Sequence, residues 1–114
     1  MIREFIEWGL FHHQVKSGEI PDAHLKQIQI DIMQLGGATI SGTGGLKKIR
    51  STAGVTGKSG GWRVIYADYP FYKVTVLIFA FKKVKKENLS KSECNELKVL
   101  KEQVDKIIAN EYGN

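Results

Sequence analysis

The chain has 114 residues, 42% apolar and 25% charged, with a formal net charge of +5, a length and composition suited to one globular domain over residues 1–114 with a single core. No apolar run approaches the ~20 residues of a membrane-spanning helix, and the opening "MIREFIEWGL" carries acids where a secretory leader needs an apolar centre. The single Cys94 has no partner for an internal disulfide, so the expectation is a cytoplasmic protein with no membrane contact.

From Phe5 to Val15 the apolar residues Phe5, Trp8, Leu10, Phe11 and Val15 predict a helix with a broad buried stripe. Ser17-Gly18 ends it. "PDAHLKQIQIDIMQL" predicts a second helix, with Leu25, Ile28, Ile32 and Leu35 at spacings of three and four, and Gly36-Gly37 as its stop. Strands are predicted over Leu46 to Ser51, Trp62 to Asp68 and Tyr72 to Phe81. The last has no polar alternation across "VTVLIFAF", the pattern of a strand covered on both faces. Asp68 to Phe71, with Pro70, supplies a hairpin turn. Ser90 with Glu93 three residues later is a capping-box pattern, opening a helix with Cys94, Leu97, Leu100, Val104 and Ile108 along one side; the terminal "EYGN" is expected to fray. Helices and strands fall in blocks, so the class is α+β with an antiparallel sheet.

The charge is unevenly spread. Between Gly42 and Lys86 stand ten basic residues, Lys47, Lys48, Arg50, Lys58, Arg63, Lys73, Lys82, Lys83, Lys85 and Lys86, against the single acid Asp68; the segment carries +9 and the remainder −4. Such a surface is either built to meet a polyanion or is a solvated face kept soluble by lysine. Because side chains alternate along a strand, Lys48 and Arg50 share one face about 7 Å apart while Ile49 points to the core. Arg63 opens the next strand, and antiparallel pairing brings it near Lys48 or Arg50, so that three cations converge. Isolated lysines on strands serve equally to discourage aggregation, and convergence is what separates a site from an edge.

The connection "STAGVTGKSGG" is long for a hairpin loop and is read as a flap whose N–H groups and Lys58 approach phosphate. It is not a P-loop, because GxxxxGK[ST] needs glycine where Thr52 stands, and "GTGG" at 42–45 lacks the GxGxxG spacing. His12, His13 and His24 have neither HExxH spacing nor a cysteine partner and are read as surface or partner-facing histidines; no metal or other cofactor is expected. Trp8 and Phe11 belong to a helical stripe, and Trp62 and Tyr66 share a strand face with Val64, so all four are read as core. Phe81, ending a strand where the charge run begins, is the aromatic assigned to the site. With it, Lys47, Lys58, Lys82, Lys85 and Lys86 are the expected RNA contacts.

In order along the chain, "GTGGLKKIR", a Gly/Lys loop, "GGWRVIYAD", an apolar strand ending "FAFKK", "ENLS" and a closing helix resemble the HigB branch of the RelE-like toxins of bacterial toxin–antitoxin modules. The likeness runs over residues 40–108; the first forty residues share with the family only two helices before the sheet. It implies a RelE-like fold with two N-terminal helices, a curved antiparallel sheet and a C-terminal helix. It implies further that messenger RNA is cleaved in the ribosomal A site, against ribosomal RNA, and that a cognate antitoxin holds the toxin inactive. A HigA-like antitoxin, with its helix-turn-helix domain, would carry any contact with operator DNA. Position by position, Lys48 and Arg50 would surround the scissile phosphate, Arg63 would join them, and Lys83, with Lys82 beside it, would follow as a basic site residue. Many relatives have tyrosine where this chain has Phe81, which lacks a hydroxyl and so can stack on a base but cannot donate a proton.

Such a site needs no metal, because the ribose 2′-OH is itself a nucleophile to be oriented in line, deprotonated and relieved of the charge it adds to phosphorus. Arg50 and Arg63 suit the last task, since a guanidinium stays charged and binds two phosphate oxygens at once. Lys48 is the candidate base, its pKa lowered by neighbouring cations, and Lys83 or Lys82 the candidate acid to the leaving 5′-oxygen. Two other readings stay open: a module that binds RNA or the ribosome without cutting, and a regulatory partner whose basic face only receives a DNA-binding antitoxin.

Overall fold

The run at Val74–Phe81, apolar but for Thr75, forms an interior strand of the sheet, where a segment buried on both faces belongs. The computed structural model describes residues 3–55, 61–82 and 89–113. Within them the order is β1 (Glu4–Glu7), α1 (Gly9–Lys16), α2 (Asp22–Gln34), β2 (Ala38–Thr39), β3 (Lys47–Arg50), β4 (Arg63–Tyr69), β5 (Val74–Phe81) and α3 (Lys91–Tyr112). The strands make one sheet in the order β1-β5-β4-β3-β2. β1 runs parallel to β5, and the other pairings are antiparallel.

Both faces are covered, so alternate residues of β4 enter two separate cores. On one side Phe11 of α1 and Ile28 and Ile32 of α2 pack with Ile49, Val64, Tyr66 and Leu77. On the other, Val104 and Ile108 of α3 pack with Ile65, Ala67, Val74 and Val76. The fold is α+β, with α1 and α2 against one face of the sheet and the C-terminal helix against the other. Among the described residues, no helix is long and apolar enough to cross a membrane.

The N-terminal segment departs from the helix read over Phe5 to Val15. Residues 4–7 are a strand, and the helix begins only at Gly9. Phe5 packs toward the α1–α2 core while Ile6 and Trp8 pack toward the α3 core, a period of two that the helical stripe had absorbed. The physical reason lies in β5, whose second edge needs partners for its N–H and C=O groups. β1 supplies them as far as Leu77, where the Trp8 N–H donates to the Leu77 carbonyl at 2.8 Å. The sheet is therefore mixed rather than wholly antiparallel. β2, two residues long, was likewise not foreseen.

The last helix opens as its sequence predicts. The Glu93 N–H donates to Ser90 Oγ at 3.1 Å and the Ser90 N–H donates to the Glu93 carboxylate at 2.8 Å. Its far end corrects the expectation of fraying, because the helix runs through Tyr112, whose ring stacks on Tyr72 at 6.2 Å.

One irregularity decides which side chains meet. Ile65 pairs with Phe79 but Tyr66 pairs with Leu77, leaving Ile78 as an extra residue in β5. Leu77 faces the α1–α2 core and Ile78 the α3 core. After the bulge Phe79 again lies on the α3 side, Ala80 returns to the α1–α2 core, and Phe81 is on the α3 side with Phe79.

Candidate nucleic-acid interface

β3 is the four-residue run "KKIR". Its Ile49 is buried in the α1–α2 core, which turns Lys48 and Arg50 to the opposite face, both exposed. The register sets Arg50 opposite Arg63 and Lys48 opposite Ile65. On the other side of β4, Arg63 stands opposite Phe81. Side chains of directly opposed residues leave the sheet on the same face, with Cβ atoms about 4.5–5.5 Å apart. Lys48, Arg50, Arg63 and Phe81 are thus neighbours on one open part of the α3 side. The Phe79 ring lies 5.8 Å from that of Phe81. Phe79 also walls an apolar hollow of about 440 Å³ beneath Leu97 and Leu100.

Arg63 is half-buried, and its Nη1 is buried with no hydrogen-bond partner among the described residues. Buried polar groups are almost always paired, so this nitrogen is an exception among the described residues. The local ladder keeps it there. The Ser51 N–H donates to the Trp62 carbonyl at 2.7 Å and the Trp62 N–H to the Ala53 carbonyl at 3.0 Å, extending the pairing beyond Arg50 and Arg63. This approach needs Gly61, where a Cβ would overlap the Ser51 carbonyl oxygen.

Asp31 of α2 ties the same region to the helix layer. One of its oxygens accepts from Ser51 Oγ at 2.8 Å, the Thr52 N–H at 2.8 Å and Thr52 Oγ1 at 3.0 Å, and the other accepts from the Gln27 amide at 2.8 Å. Burial pushes this carboxyl up, but the hydrogen bonds together, led by the Thr52 N–H, outweigh burial and hold it below the usual carboxylate range.

Other expected contacts are placed elsewhere. Lys47 stands opposite Tyr66 on the α1–α2 side. Lys82 donates from Nζ to the Gly54 carbonyl at 2.8 Å and lies 4.5 Å from the centre of the Trp62 ring, so its charge is held on the Trp62 side rather than beside Arg63. Lys58, Lys83, Lys85 and Lys86 lie outside the described residues. Asp68, the acid within the basic segment, accepts from the Arg3 guanidinium and from Thr75 Oγ1 at 2.9 Å, toward the other end of β4. His12 Nδ1 lies 2.9 Å from the Glu7 carboxylate, and His24 Nδ1 accepts from Trp62 Nε1 at 3.2 Å. Among the described residues, no three His, Cys, Asp or Glu side chains are grouped to hold a metal ion.

The sequence reading passed over Gln14, which is 7% exposed. Its amide donates to the Ala80 carbonyl at 2.7 Å and accepts from the Ala80 N–H at 3.0 Å. Gln14 lies three residues after buried Phe11, and a polar residue on the buried stripe of a helix was the available signal.

The fold and this face define a class: small α+β proteins whose sheet gathers arginine, lysine and an aromatic ring on one open surface. The family model of the RelE toxin of the RelE/RelB toxin–antitoxin system matches residues 7–112, and the chain belongs to this toxin family. No curated protein matches it. It is a toxin of a toxin–antitoxin system, and an antitoxin is its partner.

Proposed function

We propose that this toxin is a ribosome-dependent messenger-RNA endonuclease of the HigB-like branch. The observation that carries the reading is the register that sets Arg50 opposite Arg63 and Arg63 opposite Phe81, with Lys48 on the same face. Arg50 and Arg63 grip the non-bridging oxygens of one phosphate, and Phe81 stacks on an adjoining base. The 2′-oxygen forms a bond to phosphorus as the bond to the 5′-oxygen breaks. Lys48 takes the 2′-OH proton. Lys83 gives a proton to the leaving oxygen, a role assigned to it over Lys82 because the Lys82 ammonium is bonded to Gly54. The ribosomal A site, with its ribosomal RNA, presents the message, and a HigA-like antitoxin carries any operator-DNA contact.

The test is a cleavage assay on programmed ribosomes with the RNA ends mapped. The expected ends are 2′,3′-cyclic phosphate and 5′-hydroxyl, and a single 2′-deoxy substitution at the cleaved nucleotide blocks the cut. Recovery of 3′-hydroxyl ends would overturn the mechanism. A ribosome-binding module without cleavage is the second reading, and it rests on Phe81, which has no hydroxyl to donate. It predicts that Lys48→Ala and Arg63→Ala lose ribosome association and growth arrest together; the endonuclease reading predicts lost cleavage with association largely kept.

A further inference from the structure

We infer that Gln14 is a positioning residue for this site: its side-chain amide stands in for a missing strand and fixes the end of β5 that sets Phe81 against Arg63. The inference rests on the endonuclease reading for its catalytic meaning. β1 pairs with β5 only as far as Leu77, so among the described residues the last four of β5 have no strand on that edge. A carboxamide carries a donor and an acceptor side by side, as a peptide group does. Gln14 uses both on one residue, Ala80, donating at 2.7 Å and accepting at 3.0 Å. That is one rung of a ladder supplied from α1.

The position of the rung matters. Main-chain groups of successive strand residues point to alternate neighbours, so with Ala80 directed at Gln14, Phe81 is directed at β4 and its partner Arg63. The bulge at Ile78 interrupts regular pairing two residues earlier, where a strand bends and loses ladder bonds. On the far side, Lys82 is held by the Gly54 carbonyl and the Trp62 ring. Phe81 is therefore bracketed, with Ala80 pinned by α1 and Lys82 pinned by the loop after β3. Gln14 packs from the α1 side and acts on the site only through Ala80.

Glutamate and methionine at this position separate positioning from bulk. Methionine fills similar space and makes neither bond. A protonated glutamate can make both, whereas an ionised one only accepts and faces the Ala80 carbonyl with like charge; burial places its titration above the usual carboxylate range. Gln14→Met should lower kcat/KM for ribosome-bound message about 10- to 100-fold across pH 6 to 8.5. Gln14→Glu should match it at pH 8.5 and recover toward the wild-type rate at pH 6. Should Gln14→Met fail to fold, the glutamate variant alone decides, through its rate relative to wild type at the two pH values. The ring-current shift that Phe81 imposes on the Arg63 side chain, read by NMR without RNA, should follow the same switch. A glutamate-to-wild-type rate ratio that is flat with pH, or an Arg63 shift that ignores it, overturns the inference even if the wild type cuts. A glutamate variant that shows the NMR switch, with wild type that yields no cyclic-phosphate ends, overturns the endonuclease reading and leaves the positioning of Phe81 standing.

Discussion

Arg50 stands directly opposite Arg63 across the β3–β4 ladder. Like charges in direct register destabilise a sheet by up to about 1 kcal/mol, so the fold keeps a repulsion at the place where the proposed chemistry needs cations. Replacing Arg50 by threonine, a good strand former, should raise stability by about 0.2–1 kcal/mol at low salt. It should also lower cleavage about 100- to 1,000-fold, the usual loss for one donor to a developing oxyanion. Urea unfolding in low and high salt checks the first part, because screening should shrink the gain. A variant less stable than wild type at low salt would show that the pair is not a source of strain.

Phe81 offers a ring and no hydroxyl, so its part in the proposed site is to stack. Base–aromatic stacking contributes about 1–3 kcal/mol. Phe81→Leu, which keeps an apolar residue on the strand, should lower kcat/KM by about 5- to 150-fold through weaker RNA binding. Phe81→Tyr should keep the stacking. Steady-state cleavage on programmed ribosomes separates the cases, and a leucine variant with unchanged kcat/KM would remove the ring from the site.

How far these relations can be read without coordinates depends on the presence of a polar residue to mark the faces. In "KKIR" buried Ile49 flanked by cations shows at once that Lys48 and Arg50 point the same way, and the antiparallel pairing places Arg63 nearby. In "VTVLIFAF" nearly every residue is apolar and both faces are buried, so nothing reveals the extra residue at Ile78. Strict alternation from Leu77 would put Phe81 under α1 and α2 and Lys82 on the face of Arg63. The bulge exchanges them, which is why Phe81 meets Arg63 while Lys82 is bonded to Gly54. β1 was hidden for a related reason, since Phe5, Ile6 and Trp8 lead straight into a helix whose own stripe continues their apolar pattern.

Asp31 predicts how stability responds to acid. Its carboxyl is held below its ordinary value of 3.8 in the folded state, so between the two values the unfolded chain binds more protons. The stabilisation is complete well above 3.8 and is lost as pH falls through the lower, folded value. Asp31→Asn should be about 1–3 kcal/mol less stable at pH 7, because its amide has one acceptor oxygen where the carboxylate uses two and carries no charge. The difference from wild type should narrow as pH falls below about 4. Urea titrations at a series of pH values measure it, and a constant difference down to pH 2 would show that the carboxylate contributes nothing through its charge.

Gly61 gives the sharpest steric prediction. A Cβ there would overlap the Ser51 carbonyl oxygen and lie 2.8 Å from that of Ala53, and both are backbone atoms that cannot swing aside. The strands would have to part at the bonds from Ser51 to Trp62 and from Trp62 to Ala53, next to the Arg50–Arg63 pair. Gly61→Ala should therefore cost about 1–3 kcal/mol, as overpacking does, and should reduce cleavage beyond what partial unfolding explains, because Arg63 begins at the disturbed residue pair. Gly9 is the control, since nothing lies within 4 Å of a Cβ at the start of α1. Alanine there should be neutral or stabilising by up to about 1 kcal/mol. Thermal unfolding of the two single variants makes the comparison. If Gly61→Ala melted with the wild type, the close contact between the ends of β3 and β4 would not be what holds Arg63 against Arg50.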